Sequence, residues 1–449
     1  MSDPKQTIKT GAQEDPFHVT CLGERGVSSP LRLAPKYREG MPSFVSDQTR
    51  ILLNIEFQAG QLPPCAEAFE MAGPRANIFF HPARTKVGIV TCGGLCPGLN
   101  NVIRSAFLEF YYNYGVREIW GIRYGYAGLD PRNGIPPVRL NEEMVDAIQN
   151  DGGTLLGSSR ERVDPAVMTD FLIQEKFDIL LTVGGDGTMR GAVALTEEIQ
   201  KRGIKIAVVG VPKTIDNDIP YVDPSFGFST AVARARNILD SAHAEAKGAP
   251  YGIGLVKLMG REAGFVAAGA TLASQQVNFC LVPEQRLVLE GDRGFLAVLH
   301  RRMLEHKHAV IALAEGAGQD LFGDTPREFD ASGNVKLSDV GALLRTRIVP
   351  YMEKQGLKVN LKYFEPSYYI RSVPANATDA LLCDRLARYA VDAAMAGKTG
   401  VLIGYWNNKF VHVPMRAVVG QKRRLKLDSD LWRSVLASTG QPCTFEPLG

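Results

Sequence analysis

Short apolar runs recur along the chain at 87–91, 119–122, 179–183, 206–211, 253–256, 309–314 and 401–405, with helix-length amphipathic segments between them. Runs this short and this continuous read as strands covered on both faces, the habit of parallel sheets whose crossovers are helices. So many strands point to two such sheets rather than one. A helical stretch from Ala231 to Glu245 opens the second unit, so the division falls near Phe226–Thr230. Residues 1–85 have another texture. They are rich in Pro, Gln and charge up to Pro42, then weakly apolar (Ile51-Leu52-Leu53-Asn54-Ile55) without a period. That pattern reads as an arm wrapping a body.

Composition narrows the class. At 449 residues there is room for two or three domains, and 45% hydrophobic with 22% charged residues is ordinary for a soluble globular chain. A net charge of +3 is too small for a nucleic-acid surface, and Lys422-Arg423-Arg424 reads as a solvated face. The seven cysteines (Cys21, Cys65, Cys92, Cys96, Cys280, Cys383, Cys443) form no CxxC pair. Cys92 and Cys96 lack a second Cys/His pair to complete a zinc site, so all are expected as reduced thiols. Residues 1–20 carry charge and no apolar core, and the uncharged run Ala263–Pro283 reads as a buried helix followed by a strand, not a membrane span. The end Glu446-Pro447-Leu448-Gly449 carries no SKL tripeptide, and the expected setting is cytoplasmic. The sequon Asn376-Ala377-Thr378 is taken as chance.

Three strand-end loops hold the candidate chemistry. Val209–Pro220 runs from an apolar strand into Lys213, Thr214, Asp216 and Asp218, a cation, a hydroxyl and two carboxylates within six residues. Such a set suits a base with an orienting acid; the bland alternative is an Asx-turn cluster capping the next helix, its acids neutralised by a buried Lys213. Thr182-Val183-Gly184-Gly185-Asp186-Gly187-Thr188 lets backbone amides approach a phosphate and offers Asp186 to a hard cation, with Thr188 readable as a helix cap. Cys92-Gly93-Gly94-Leu95-Cys96-Pro97-Gly98 is weaker alone. Gly397-Lys398-Thr399 is no P-loop, because Asp392 stands where the earlier glycine belongs. Histidine flanks none of these loops, so a carboxylate base is expected. Phosphoryl transfer to an alcohol fits that inventory.

The ordered set TCGGLCPGLN, GGTLLGSSR, GGDGT, PKTIDND, KLMGR, AEG and PSYYIR, over roughly residues 86–440, closely resembles the phosphofructokinase family. It resembles most the long-chain branch that includes plant and kinetoplastid ATP-dependent enzymes. The resemblance implies an α/β fold of two Rossmann-like, phosphofructokinase-type three-layer domains. These would be 86–230, completed by part of 376–425, and 231–375, with extensions at 1–85 and 426–449. It implies phosphorylation of the 1-hydroxyl of fructose 6-phosphate, with Mg²⁺ and ATP. Asp216 would be the base, Asp218 would help orient the site and magnesium, and Thr214 would contact the transferring group. Asp186 would hold Mg²⁺, while Gly94, Gly185, Gly187 and Thr188 would line the nucleotide phosphates. Arg160 would stabilise the transferred phosphate. Met259, Gly260, Arg261 and Glu315 would bind the sugar, and Tyr368 and Arg371 would meet the 6-phosphate. An oligomer is expected, a tetramer favoured, with the N-terminal arm embracing a partner; no nucleic acid or membrane is implied.

Two departures stand out. Gly252 replaces an arginine of the short bacterial branch, and no histidine lies near Arg371; Lys257 is the candidate substitute donor. The phosphoryl donor stays open at this point. Gly187 leaves room for the α-phosphate of ATP, whereas Lys213, where many ATP enzymes have glycine, taken alone favours pyrophosphate as donor to the sugar phosphate. Gly187 carries the greater weight, because steric exclusion is hard to evade. A kinase for NAD or a lipid, and a silent nucleotide-binding regulator, are the other readings.

Overall fold

The computed structural model describes residues 16–35, 40–56, 58–59, 67–323, 328 and 335–446. Cys65 and the terminal Pro447-Leu448-Gly449 lie outside the described residues, as do residues 1–15. Every apolar run named above forms a strand. The chain lays down β1 (Arg50–Leu52), β2 (Ala68–Met71), β3 (Lys86–Thr91), β4 (Glu118–Ile122), β5 (Val138–Arg139), β6 (Ile179–Gly184) and β7 (Ala207–Pro212). It then builds a second sheet from β8 (Gly252–Leu258), β9 (Phe279–Leu281), β10 (His308–Ala314) and β11 (Asn360–Phe364). It returns to the first with β12 (Val401–Trp406) and β13 (Lys409–Pro414).

The first sheet has nine strands in the order β1-β2-β13-β12-β7-β6-β3-β4-β5, the second four in the order β9-β10-β8-β11. The run β12-β7-β6-β3-β4 is parallel and its flanks are antiparallel; the second sheet is parallel throughout. β6, β7 and β8 are buried at every position, which is why their sequences are continuous apolar runs rather than alternating ones. This is the α/β architecture with mostly parallel sheets that the pattern implied.

Helix Phe228–Lys247 presents small residues (Ala231, Ala235, Ala242, Ala246) to the core and lies close on β8. A Cβ on Gly252 would stand 2.1 Å from the Ala246 carbonyl oxygen, and one on Gly254 2.8 Å from that of Ala242. Gly252 therefore has no room for any side chain, which explains its departure from the short branch. Gly252→Ala is expected to cost about 2 kcal/mol or more, because backbone must move to admit the methyl group; thermal denaturation checks it.

The uncharged run is helix Phe265–Ser274 followed by β9. The Gln441 side chain closes the edge of β9, accepting from Cys280 N at 2.6 Å and donating to Cys280 O at 3.2 Å. Asn376 caps helix Ala377–Met395 by accepting from Asp379 N at 3.0 Å, a structural use of the sequon asparagine. β1 and β2 add to the sheet through Met71, paired with Val411. A buried network holds them: Arg75 and Lys398 both reach Glu70 (2.6 and 2.5 Å), which also meets His412 Nδ1 at 3.0 Å. Lys398 is thus structural. The six described cysteines are free, and among the described residues no helix is long and apolar enough to cross a membrane.

Candidate active site

The segments that follow β3, β6 and β7 in one sheet and β8, β10 and β11 in the other carry the candidate residues, except Arg160, which lies between β5 and β6. In open parallel sheets these carboxyl ends are where ligands bind. After β7, the Thr214 hydroxyl donates to Asp218 Oδ1 at 2.6 Å and accepts from Asp216 N at 3.1 Å. The next helix begins at Phe228 behind Gly227, so neither acid caps it. Asp216 Oδ1 is buried without a hydrogen-bond partner. Burial, then the charges of Asp218 and Glu315, push the Asp216 carboxyl up to about 7; the Arg261 backbone N–H and the Lys422 ammonium act the other way.

Lys213 does not neutralise these acids. Its Nζ turns to the Gly94 carbonyl at 2.6 Å, and burial pulls its pKa down, with Arg160 and Arg371 adding to the effect. The cation on Asp218 is Lys422, whose Nζ lies 2.6 Å from Oδ2.

After β6, Gly184-Gly185 turn into helix Asp186–Lys201, whose N-cap is Gly185; Thr188 lies within the first turn and is not the cap. The helix end supplies orphan amides and positive dipole to an anion. A Cβ on Gly184 would meet Thr188 Oγ1 at 2.1 Å, whereas one on Gly187 would meet nothing within 4 Å. Asp186 Oδ2 pairs with Arg190 at 2.5 Å and Oδ1 accepts from Gly420 N at 3.2 Å. Its carboxylate keeps lone pairs for a cation. Among the described residues no group of three or more His, Cys, Asp or Glu could enclose a metal. A cation at Asp186 would therefore share its coordination with phosphate oxygens, the usual arrangement for Mg²⁺.

The GSSR segment is tied to the first loop. Ser158 Oγ donates to Gly93 O at 2.6 Å and Gly93 N to Ser159 O at 2.9 Å, while Ser159 Oγ is buried without a partner. Beside them opens a cleft of about 910 Å³ lined by Gly93, Gly94, Gly152, Gly153, Arg160 and Arg371, among others. An added Cβ on Gly94 would come 3.4 Å from Arg160 and 3.9 Å from Arg371, so two guanidiniums converge on this loop. Tyr368, also lining the cleft, stacks under the Arg371 guanidinium at 4.6 Å and is 73% exposed.

Opposite, Met259-Gly260-Arg261 follows β8 and Glu315 follows β10. Glu315 N donates to Leu258 O at 2.9 Å and Gly316 N to Gly260 O at 3.0 Å, which fixes one loop on the other. Gly260 takes φ +129, and a Cβ there would meet Ala263 O at 2.6 Å, so glycine is required. Met259 packs against the main core, and the Arg261 guanidinium donates to Val335 O. Burial raises the Glu315 pKa, opposed by Arg261, Lys257 and Arg371. Lys257 is committed elsewhere: its Nζ lies 2.9 Å from Asp339 and 2.8 Å from Glu365.

Residues 86–394 match the family model described as phosphofructokinase. The chain belongs to the phosphofructokinase family. It is 45% identical over 437 residues to the "ATP-dependent 6-phosphofructokinase" of Borreliella burgdorferi, covering 96% of this chain and 98% of the relative. It is equally 45% identical to that of Trypanosoma brucei brucei over 82% of this chain and 75% of that one. It is 45% identical to "ATP-dependent 6-phosphofructokinase 7" of Arabidopsis thaliana over 84% and 78%. Among solved structures, the pyrophosphate-dependent phosphofructokinase of Marinobacter aquaeolei superposes with a TM-score of 0.65 at 18% identity, over 81% of this chain and 94% of that one. Identity that low speaks for the fold alone.

Sequence reasoning missed the phosphofructokinase chain's basic run. Only Arg424 is a solvated residue, with its side chain 66% exposed near Glu262 at 3.8 Å. Lys422 and Arg423 fold back onto the loop after β7, where Arg423 N donates to Asp218 O at 2.8 Å. A run of cations has no local pattern that distinguishes the two cases.

Proposed function

We propose that the chain is an ATP-dependent 6-phosphofructokinase of glycolysis. It would transfer the γ-phosphoryl group of ATP to the 1-hydroxyl of fructose 6-phosphate and release ADP and fructose 1,6-bisphosphate. The observation that carries this is Asp216. It combines a buried, unpartnered Oδ1 with a carboxyl pushed to about 7, between phosphate-type loops and the second sheet. A base near neutral pH with a free lone pair suits removal of an alcohol proton.

In this reading Asp216 Oδ1 takes the 1-hydroxyl proton as the oxygen attacks the γ-phosphorus and the bond to the β–γ bridging oxygen breaks. Thr214 contacts the transferring group and Asp218 orients the loop. Gly94, Gly185, Gly187 and Thr188 line the nucleotide phosphates, and Arg160 meets the developing charge. Met259, Gly260, Arg261 and Glu315 hold the sugar, with Tyr368 and Arg371 toward the 6-phosphate. Asp186 would hold Mg²⁺, which when bound neutralises phosphate charge. We also read the chain as a cytoplasmic tetramer, with 86–230 plus part of 376–425 and 231–375 as its two domains and residues 1–85 embracing a partner.

The donor reading is supported by the open space at Gly187 and by Lys213, whose ammonium is tied to Gly94 O rather than free for a phosphate end. Formation of fructose 1,6-bisphosphate with ATP and with pyrophosphate, each assayed with Mg²⁺, tests it. Turnover is expected with ATP; turnover with pyrophosphate alone would overturn it.

A further inference from the structure

Beyond β13 the chain crosses the mouth of the site. Gly420 N donates to Asp186 Oδ1 at 3.2 Å, Lys422 Nζ meets Asp218 Oδ2 at 2.6 Å, and Arg423 N donates to Asp218 O at 2.8 Å. Arg423 also donates to Asn217 O at 3.2 Å, and its guanidinium lies 4.5 Å from the Phe265 ring. Leu425 N donates to Glu284 Oε1 at 2.8 Å, and that carboxylate accepts Gly264 N at 3.0 Å. One strap thus touches the nucleotide loop, the loop with the base, and the start of the helix behind the sugar loop.

We propose that Lys422 is a positioning residue for phosphoryl transfer, acting through Asp218 and Thr214 on Asp216. The inference rests on Asp216 being the base. Asp218 is 8% exposed, and a carboxylate that buried is costly without a charged partner. Lys213, nearest in sequence, points to Gly94 O instead, which leaves Lys422 to supply the charge. An ionised Asp218 can only accept, so it fixes the Thr214 hydroxyl proton on Oδ1 and turns a Thr214 lone pair to Asp216 N. The peptide of the base is thereby held by a cation from another part of the chain. Lys422 itself faces Asp218, Asp186 and Glu262, while Asp216 faces Asp218, Glu315, the Arg261 backbone N–H and Lys422. The competent form of the base is ionised, and the Lys422 ammonium acts against the burial that raises the Asp216 carboxyl. The lysine favours that form.

Lys422→Met is expected to lower kcat at pH 7 by about 10- to 100-fold, with KM for ATP and fructose 6-phosphate within about threefold. The acid limb of kcat/KM moves to higher pH by about half a unit or more, because Asp216 gives up its proton less readily without the cation. Lys422→Arg keeps the charge and restores most of kcat and the original limb. Lys422→Gln repeats the test if the Met variant does not fold. A purely structural lysine would lower the melting temperature and leave the limb in place; an unmoved limb, or an unchanged kcat, overturns the proposal. If Asp216→Asn retains activity, the reading of the base fails instead, so the two failures are distinguishable.

Discussion

Asp216→Asn is expected to lower kcat by about a thousand- to ten-thousandfold, with KM for fructose 6-phosphate changed by no more than about threefold. Asparagine keeps the shape and most of the polarity of the side chain but cannot take a proton. In the wild type, kcat/KM should fall below about pH 7, where burial and the charges of Asp218 and Glu315 leave the Asp216 carboxyl half protonated. The same shift makes a claim about stability. A carboxyl raised in the folded state from its ordinary 3.8 to about 7 contributes stability that is complete below the lower value and lost as the pH rises through the higher one. At pH 8 the wild type therefore carries an uncompensated cost that the asparagine lacks. Asp216→Asn should melt higher at pH 8 by about 2–5 °C, with the gap closing toward pH 5. An inactive variant that melts lower at pH 8 would contradict the electrostatic account, and an active one would contradict the assignment of the base.

What could be read from sequence followed the range of the interactions involved. β6 and β7 are buried on both faces, so their apolar runs announce them without knowledge of their neighbours. The loops after them are dense in Gly, Asp and Thr because phosphate chemistry needs close backbone and fixed charge, and that density is local too. β1 and β2 gave no such signal: they are short strands at one end of the sheet, held by the buried network in which Glu70 meets His412, 342 positions away. Lys422 was misjudged for the same reason. The lysine beside the acids in sequence bonds to Gly94 O, 119 positions earlier, and the lysine that pairs with Asp218 comes from 204 positions later. Ion pairing that depends on where a distant strap lands leaves no periodicity to detect.

Gly187→Asp should then lower kcat/KM for ATP by about a thousandfold while the melting temperature moves by no more than about 2 °C. The neighbouring glycines could not serve for this test, since a Cβ on Gly184 would stand 2.1 Å from Thr188 Oγ1 and one on Gly185 3.2 Å from Lys213 O. At Gly187 an added Cβ meets nothing within 4 Å, and the position lies in the first turn of helix Asp186–Lys201. A carboxylate there is favoured by the helix dipole, so the unliganded fold has no reason to weaken. The loss arises only when a nucleotide phosphate enters the same space, where like charge costs several kcal/mol, about 4 for a thousandfold. Lys213, held on Gly94 O, is not placed to offset it. Pyrophosphate has no α-phosphate attached to a nucleoside, so any turnover with it should not fall in parallel. An ATP kcat/KM left unchanged by Gly187→Asp would remove the nucleotide from this loop altogether, and with it the steric argument for ATP as the donor.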